Sequence, residues 1–311
     1  MDNPQQKLTA AVCSYNRSDR LTPLIRELRK QDCPIPFEIL IVNNNSQDDT
    51  LEVLELLQKE EGPPLRFVTE KEQGIPFARN RAVEECMDSD FMFFMDDDEL
   101  PKPGLLAAAY DALSNEQALC AGGRVENTFE PGGRPSWLIH ELLGFLAEID
   151  HGDSSFWITS ADTPIWTANV AYNMALFRDD SSLRFDTRYN RTASGIGGGS
   201  DAVMFRELLG RKIKMRYRPD MAITHQVETW RLKPTYFLKL HYIAGRKKGE
   251  FQLPRYEREI IGTPPFLIKA FIKQTAKSMF YYLGRKRTRL REGMNAAHAL
   301  GMIIGYRKKI T

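Results

Sequence analysis

The chain has 311 residues, 42% of them hydrophobic, which is enough to bury a sizeable core in one large α/β domain with an appendage, or in two domains. The net charge of +2 is unevenly distributed. Residues 244–311 carry 16 Lys and Arg against four Asp and Glu, whereas residues 1–243 carry 27 Lys and Arg against 37 Asp and Glu. This asymmetry predicts a basic tail that meets an anionic surface. The polar N-terminus predicts no signal peptide, and no apolar run reaches the length of about 18 residues typical of a transmembrane helix, so a cytoplasmic protein is expected.

The first 125 residues alternate between short apolar runs and segments of helical periodicity. Strands are predicted at Leu8–Cys13, Phe37–Val42, Leu65–Thr69, Asp90–Met95 and Leu119–Val125. Helices are predicted near residues 18–30, 49–60, 76–88 and 103–114. This alternation is typical of βαβ units and of an α/β fold with a mainly parallel central sheet flanked by helices. Ligands of such sheets bind beyond the carboxyl ends of the strands, where the polar clusters SYNR, NNNS and DDDE follow the first, second and fourth strands.

The rest of the chain is less regular. Residues 126–165 scatter Gly, Pro and Trp, which predicts an excursion over the active edge of the sheet with one short helix near 138–148. The glycine-rich segment SGIGGGSD, residues 194–201, predicts a flexible loop that leads into a helix beginning near Asp201. A short strand, KIKMRYR, and a basic helical region follow.

Asp96, Asp97 and Asp98 stand side by side at the end of the apolar strand FMFFM. Adjacent carboxylates repel one another unless a positive group lies between them, and their oxygens are the ligands that hard divalent cations prefer. The alternative is a helix cap, because acids before a helix starting at Pro103 would favour its dipole and its unpaired N–H groups. Capping accounts for one or two acids but not for three, so the pattern favours a metal or ligand site.

Two further polar residues allow two interpretations each. Asp201 is either a helix cap after the glycine-rich loop or a general base carried on a mobile loop. His225, at a strand end, is either structural or the imidazole that completes a carboxylate metal site. The residues by themselves do not decide between these alternatives.

Four segments between Leu8 and Arg231 stand in an order that resembles a known family. They are AAVCSYNR, EILIVNNNSQDDT, GIPFARNRAVEECMDSDFMFFMDDDELP and GGGSDAVMFRELLGRKIKMRYRPDMAITHQVETWR. The third segment is similar to a Gly…Ala-Arg-Asn stretch that runs into a metal-binding acidic motif, and the fourth to an acidic catalytic loop followed by a helix, a His and an Arg. In this order the segments resemble the family 2 glycosyltransferases, nucleotide-sugar-dependent enzymes of the Rossmann-like GT-A fold.

The resemblance implies a role for each matching position. Asp201 is the implied catalytic base, Asp98 is the implied ligand of Mn²⁺ or Mg²⁺, and His225 would lie beside the metal. The residues implied to bind the nucleoside-diphosphate sugar donor are Ser14, Tyr15, Asn16, Asn43, Arg79, Asp96 and Asp97. The positions that depart from the family pattern are Asn43 in place of Asp, Cys13-Ser14 in place of Pro-Thr, and Ser200 where a Glu often precedes the catalytic acid.

The implied reaction moves one sugar from the donor to an acceptor hydroxyl with inversion at the anomeric carbon. Processive relatives carry Gln-x-x-Arg-Trp, whereas this chain has Trp230 and Arg231 in the reverse order, so a non-processive enzyme of surface glycan or polysaccharide assembly is expected, with a glycan or lipid-linked acceptor. Trp166, Asn169 and Arg231 are candidate contacts of the acceptor or the sugar, and core packing is the alternative for the Trp.

The resemblance also implies a domain organisation. Residues 1–243 would form the GT-A catalytic domain, with a nucleotide-sugar-binding half at about 1–125 and an acceptor and catalytic half at about 126–243, and residues 244–311 would form a basic helical extension. Two other functions stay open, namely a sugar-nucleotide-binding protein on an inactive transferase scaffold and a metal-dependent nucleotidyltransferase. No nucleic-acid partner is expected, because the basic tail carries no recognised motif.

The basic tail contains a predicted amphipathic helix. Lys269, Lys273 and Lys277 recur at four-residue spacing and form one stripe. The apolar residues on the flank and the opposite side of the helix are Phe266, Leu267, Ala270, Phe271, Phe280 and Leu283. The basic residues that follow them are Arg285, Lys286, Arg287, Arg289 and Arg291. Such helices lie in the membrane interface, which predicts peripheral attachment to the inner face of an anionic membrane. The alternative is that the apolar side chains pack on the catalytic domain while the cations are merely solvated.

Overall fold

The computed structural model describes residues 6–129, 132–190 and 196–309. Strands and helices alternate along the first part of this chain. The strands are β1 (Leu8–Ser14), β2 (Phe37–Asn43), β3 (Leu65–Thr69) and β4 (Phe91–Asp96). The helices are α1 (Ser18–Arg29), α2 (Thr50–Leu57) and α3 (Ile75–Glu85). Each of these elements was predicted from the sequence, with bounds that differ by three residues at most.

These four strands form the parallel part of the sheet, in the order β3-β2-β1-β4. The apolar residues of β1 and β4 are buried on both faces, as the unbroken run FMFFM of β4 indicated, whereas Phe67 and Val68 of the edge strand β3 are half-buried. Ser14 pairs with Asn43, and Cys13 pairs with Asp96. The carboxyl ends of β1, β2 and β4 therefore meet at one edge, and the polar clusters that follow these strands meet there too.

The second part of the sheet is mixed. Its strands are β5 (Glu99–Pro101), β6 (Cys120–Thr128), β7 (Phe156–Ile158), β8 (Asn169–Asn173) and β9 (Met215–Gln226). β8 lies between β4 and β6 and is antiparallel to both, because the excursion after β6 returns the chain in the opposite direction. β9 runs parallel to β6 and antiparallel to β5 and β7. The parallel pairs are thus those within the group β3-β2-β1-β4 and the pair of β6 with β9.

Three short helices accompany these strands. They are α4 (Leu105–Tyr110), which continues as a π-helical turn, α5 (Ala175–Asp179) and α6 (Ser200–Gly210). The short helix predicted near residues 138–148 is a 3₁₀ helix at His140–Leu146. The helix predicted to begin near Asp201 is α6.

β9 extends well beyond the predicted strand KIKMRYR and ends at Gln226. Its pairing with β6 shifts register between Gly123 and Val125, so β9 bulges there and then resumes its pairing. A Cβ atom on Gly123 would overlap the carbonyl oxygen of Met221, which explains the glycine at this close approach. The resumed pairing carries β9 to His225 at the edge where the polar clusters lie.

The described chain divides into two compact units. The second unit comprises residues 134–145, 196–199 and 228–309, and the first comprises the rest. The second unit contains α7 (Pro234–Lys247), α8 (Pro265–Leu283) and α9 (Arg289–Lys308). The predicted division between residues 243 and 244 falls inside α7, so it does not coincide with the boundary between the compact units. That the catalytic domain ends at residue 243 stays a prediction.

α7 and α9 approach each other through glycines. Gly245 of α7 and Gly301 of α9 are each followed by another glycine four residues later. A Cβ atom on Gly245 would overlap the carbonyl oxygen of His298, and one on Gly301 would overlap that of Tyr242. The absence of side chains at these positions lets the two backbones touch. Among the described residues, no helix combines the length and the apolar character that spanning a membrane requires.

Candidate functional site

Two hydrogen bonds fix the acidic cluster at the end of β4. Ser14, the last residue of β1, donates its hydroxyl hydrogen to Asp97 Oδ2 over 2.7 Å. Arg79, buried in α3, donates from Nη2 to Asp96 Oδ1 over 3.1 Å. Four of the residues predicted to bind the donor are therefore assembled at the carboxyl ends of β1 and β4.

The acidic segment folds back against β9 through the short strand β5. Glu99 pairs with His225 across the two strands, and the Gln226 N–H donates to the carbonyl oxygen of Asp98 over 3.0 Å. This pairing holds Asp98 Oδ2 at 3.5 Å from His225 Nε2. The two residues predicted at the metal are thus neighbours, although they lie far apart in the sequence.

The orientation of the His225 ring is set by Asn127. The two residues pair across β9 and β6, and His225 Nδ1 lies 2.9 Å from Asn127 Oδ1. With the amide oxygen as acceptor, the ring proton lies on Nδ1, and Nε2 presents its lone pair toward Asp98. A hydrogen bond of this kind, to the ring nitrogen that does not face the metal, is typical of metal-binding histidines.

Three carboxylates can reach one cation at this edge. One oxygen each of Asp96, Asp98 and Glu99 lies within 4.8 Å of the others. The buried Glu99 accepts the Asp96 N–H on Oε2 over 2.8 Å. Glu99 was not among the predicted ligands, and its signal in the sequence is its place as the fourth acid of DDDE.

Two acids of this segment have pKa values above their usual range. Burial, followed by repulsion from Asp98, raises the pKa of Asp97 to about 7. Burial, followed by repulsion from Asp96 and Asp98, raises the pKa of Glu99 well above its usual range. A hard divalent cation takes oxygen ligands. Its positive charge would offset the desolvation cost of the charged carboxylates and reduce the repulsion between them. The residues present therefore fit Mn²⁺ or Mg²⁺.

Asp201 lies in the first turn of α6, directly after the glycine-rich segment. Its Oδ1 accepts the N–H of the adjacent Ala202 over 2.9 Å. Burial disfavours the charged form of Arg79, but the charges of Asp96 and then Asp201 outweigh it and raise the pKa of the guanidinium. Asp201 is therefore within electrostatic reach of the arginine that holds Asp96.

A small cavity next to Asp201 gives this carboxylate a partly apolar surrounding. Its other lining residues are Cys120, Ile165, Thr167, Val170, Tyr172, Phe205 and Leu208. Such a lining keeps bulk water away from one side of the acid, and charge interactions are stronger where water is excluded.

The turns after β1 and β2 are tied to each other by side chains predicted to bind the nucleotide. Asn16, at a φ of 51°, donates its N–H to Ser46 Oγ over 2.9 Å and accepts the Gln47 N–H on Oδ1 over 2.7 Å. The buried Asn43 accepts the Ser46 N–H on Oδ1 over 3.0 Å. Tyr15 is half-buried at the end of β1. These residues shape the rim beside the acidic cluster, and their contact with a donor stays a prediction.

Asn169, predicted as a sugar contact, lies inside the sheet. It is fully buried in β8, and its Nδ2 donates to the carbonyl oxygens of Arg124 and Met221 over 3.0 and 2.7 Å. The side chain ties β8 to β6 and β9 beside the bulge, so its amide hydrogens are used inside the sheet. Its role as a sugar contact stays a prediction.

The other two candidate sugar contacts stay predictions. Trp166 is half-buried and packs edge-on to Phe205, with ring centres 6.3 Å apart, which matches the alternative of core packing. Arg231 belongs to the second unit, where its guanidinium lies 5.7 Å from the centre of the Tyr236 ring.

In sequence, the chain resembles parts of several glycosyltransferases. YfnE, an uncharacterized glycosyltransferase of Bacillus subtilis, is 34% identical over 118 residues, which are 38% of this chain and 29% of YfnE. A GalNAc(5)-diNAcBac-PP-undecaprenol β-1,3-glucosyltransferase of Campylobacter jejuni is 30% identical over 102 residues, 32% of either chain. The chain thus matches less than half of the length of these curated relatives.

In fold, the likeness covers nearly the whole chain. Residues 1–349 of Staphylococcus aureus TarS, solved with UDP-GlcNAc, superpose with a TM-score of 0.57 at 15% identity, covering 96% of this chain and 90% of that one. The mannosyltransferase PcManGT of Pyrobaculum calidifontis, solved with GDP-Man and Mn²⁺, gives a TM-score of 0.57 at 15% identity, covering 98% and 89%. At 15% sequence identity, structural similarity is evidence for the fold only. It confirms the predicted GT-A fold.

The longest sequence match covers the part of the chain that builds the acidic edge. The sequence model of Glycosyl transferase family 2 matches residues 9–181, more than half of the chain. The matched region contains β1 except its first residue, the strands β2 to β4 and the segment Asp96–Glu99. As the order of its motifs indicated, the chain belongs to glycosyl transferase family 2.

Proposed function

We propose that the chain is a metal-dependent glycosyltransferase that moves one sugar from a nucleoside-diphosphate sugar to an acceptor hydroxyl with inversion. The observation that carries this proposal is the cluster of Asp96, Asp98, Glu99 and His225 at one sheet edge, in the same compact unit as Asp201. Sugar transfer needs compensation for the charge of a leaving diphosphate and a base for the attacking hydroxyl. The cluster offers groups for the first need, and Asp201 is the candidate for the second.

The donor would bind along the ends of β1, β2 and β4. Arg79 carries a positive charge beside Asp96, and a guanidinium is suited to the oxygens of a diphosphate. Ser14 orients the carboxylate of Asp97, which is suited to the hydroxyl groups of the ribose. Asn16 and Asn43 hold the two turns that would flank the base.

Asp98 and His225 would hold Mn²⁺ or Mg²⁺, with Asp96 and Glu99 as further oxygen ligands. A bound cation supplies Lewis-acid stabilisation of the negative charge on the leaving nucleoside diphosphate. Asn127 contributes by keeping His225 Nε2 directed toward Asp98. The raised pKa values of Asp97 and Glu99 support this proposal, because a bound cation would stabilise the charged forms of both carboxylates.

Asp201 would take the proton from the acceptor hydroxyl while the hydroxyl oxygen attacks the anomeric carbon and the nucleoside diphosphate leaves from the opposite side. One direct displacement inverts that carbon and needs no carboxylate nucleophile besides the base. The placement of Asp201 supports this role, because it lies in the first turn of α6 beside the partly apolar cavity. The hydrogen bond from the Ala202 N–H holds one oxygen of this carboxylate in place.

The substrates are proposed as classes. TarS is a poly(ribitol-phosphate) β-N-acetylglucosaminyltransferase, and the Campylobacter jejuni relative is named for glucosyl transfer to an undecaprenol-linked acceptor. We infer for this chain a glycan or lipid-linked acceptor in surface glycan assembly, and a non-processive reaction on the cytoplasmic side.

A panel of nucleotide sugars tests the proposal. The protein is incubated with UDP-, GDP- and dTDP-linked sugars, Mn²⁺ and candidate acceptors, and release of the nucleoside diphosphate is measured. Release from one donor class, lost in Asp201→Asn, is the expected result. Thermal stabilisation by a nucleotide sugar without release would indicate a binding protein on an inactive scaffold. Pyrophosphate formation from a nucleoside triphosphate and a sugar phosphate would indicate a nucleotidyltransferase.

A further inference from the structure

α8 has one face inside the second unit and one apolar face outside it. On the inner side, Leu267 is buried and Phe271 packs beside it, together with Ile303 and Tyr306 of α9. The large apolar residues on the outward side, exposed between 46% and 76%, are Phe266, Ile272, Met279, Phe280 and Leu283. An ordinary solvated helix face is polar, so this outward face requires another explanation.

The exposed apolar side chains are concentrated in this one segment. Among the residues that the structure describes, more than half of the exposed large hydrophobic side chains lie between positions 260 and 283. The turn before α8 contributes Ile260 and Ile261, and Ile261 is 86% exposed at a φ of 49°. A β-branched residue at positive φ is strained, so the fold presents this side chain at a cost in free energy. Exposed apolar side chains grouped in this way mark an interaction surface.

The charged residues of the segment all have one sign. Residues 260–291 contain eight Lys and Arg and no Asp or Glu. Lys269 and Lys273 are exposed on α8, and Arg285, Lys286 and Arg287 are exposed directly after it. The surface is therefore complementary to a partner that is both apolar and anionic.

Two cations of the predicted stripe and cluster are used inside the unit instead. Lys277 pairs with the buried Glu292 over 2.9 Å. The guanidinium of Arg291 lies 4.8 Å from the centre of the Phe145 ring. The outward basic surface thus consists of Lys269 and Lys273 together with the segment 285–287 and Arg289.

We propose that the outward face of α8 docks on a lipid bilayer rich in anionic headgroups. Phe280 and Leu283, with the other outward apolar side chains, enter the boundary between headgroups and acyl chains. Lys269 and Lys273 lay their apolar stems along this boundary and direct their ammonium groups to the headgroup phosphates. The alternative of internal packing holds for Leu267, but the 67% and 76% exposure of Phe280 and Leu283 contradicts it for the outward face.

Co-sedimentation of the full chain with vesicles tests the proposal. The protein should pellet with phosphatidylglycerol-containing vesicles at low salt, stay in the supernatant with phosphatidylcholine alone, and be released as salt rises. Phe280→Ser combined with Leu283→Ser should weaken binding by about tenfold or more. Lys269→Gln combined with Lys273→Gln should weaken it roughly fivefold for each lysine.

Matched variants elsewhere in the chain serve as controls. Leu56→Ser removes an exposed leucine of α2, and Lys59→Gln combined with Lys71→Gln removes two exposed lysines. These variants should pellet like the wild type, as should Asp201→Asn, because docking requires no sugar transfer. The result is therefore independent of the proposed transferase activity.

Equal pelleting of the α8 variants and their controls would overturn the proposal, and so would equal binding to neutral vesicles. A second copy of the chain is the competing occupant. A dimer without lipid that Phe280→Ser and Leu283→Ser convert to a monomer would assign the face to self-association and contradict docking on lipid.

Discussion

His225 and Asn127 face each other across β9 and β6, with the imidazole Nδ1 2.9 Å from the amide oxygen. The same ring places Nε2 3.5 Å from Asp98 Oδ2. The orientation of the imidazole proposed to bind the metal is thus set by a residue outside every motif that the sequence revealed. The backbone pairing of two strands brings that residue into position.

Asn127→Leu should weaken metal binding without removing a ligand. Loss of the hydrogen-bond partner of a ligating histidine typically costs about 10–100-fold in metal affinity. The Mn²⁺ concentration for half-maximal release of nucleoside diphosphate should rise by this factor, while the rate at saturating Mn²⁺ changes little. Asn127→Asp keeps an oxygen acceptor in place and should retain the wild-type Mn²⁺ dependence. The same dependence in Asn127→Leu and wild type would show that the ring is oriented by other contacts.

Asp98→Ala should abolish transfer while the protein stays folded. Asp98 lies at the rim of the sheet and repels its buried neighbours, so its removal costs little stability. Binding of the nucleoside diphosphate, measured by calorimetric titration, should lose its dependence on Mn²⁺, and the melting temperature should stay within a few degrees of the wild type. Asp88→Ala, which removes an exposed acid before the opposite end of β4, should leave both quantities unchanged.

Asp201→Asn should separate catalysis from donor binding. The substitution keeps the shape of the side chain and removes the base, so kcat should fall by about 10²–10⁴ while the Kd of the donor is unchanged. If Asp201 were no more than a helix cap, kcat would stay at the wild-type value and the melting temperature would respond to Asp201→Ala. Steady-state kinetics and thermal denaturation of both variants distinguish the two roles.

The acidic cluster predicts how the stability of the metal-free protein depends on pH. The pKa of Asp97 is raised to about 7, chiefly by burial and then by Asp98. Between the ordinary pKa of about 4 and this value, the folded protein binds a proton that the unfolded chain has released, so the free energy of unfolding should fall as pH rises from about 4 to 7. Thermal denaturation in EDTA should show this slope, and Asp97→Asn should flatten it.

Mn²⁺ should counteract that loss. The cation binds the deprotonated carboxylates and competes with protons at low pH, so it should raise the melting temperature more at about pH 7.5 than at about pH 5. A gain that is the same at both values would indicate that Mn²⁺ binds away from the acidic cluster.

The contact between α7 and α9 should not tolerate a side chain at Gly301. A Cβ atom there would overlap the carbonyl oxygen of Tyr242, and overpacking of this kind costs about 1–3 kcal/mol of unfolding free energy. Denaturant unfolding should show this loss for Gly301→Ala. Gly210→Ala, where a Cβ atom would meet open space, should be close to neutral.

Much of the fold follows from local patterns in the sequence. β1 to β4 are mainly apolar runs separated by periodic helices, and an unbroken run such as FMFFM in β4 indicates burial on both faces directly. The antiparallel β8 and the bulge of β9 could not be predicted, because both depend on where a long irregular segment returns to the sheet. β9 continues past its Pro-Asp pair since Gly123 allows Met221 to approach, and no periodicity encodes that contact.

The site divides in the same way. The acids after β4 could be predicted because they are contiguous with a recognisable strand. Asn127 carries no motif and acts through strand pairing, and Glu99 joins the cluster only after β5 pairs with β9. Asn169, a predicted sugar contact, is fully buried, and the sequence does not report burial for a lone polar residue.

Release of the nucleoside diphosphate from the preferred donor, measured with an acceptor in Mn²⁺ and in EDTA, is the most direct test of metal-dependent transfer at this edge. The wild type should lose release in EDTA and regain it when excess Mn²⁺ is added. Asp98→Ala, folded and at the same concentration, should show no release in either condition. Full release by the wild type in excess EDTA, or by Asp98→Ala, would contradict the proposed function.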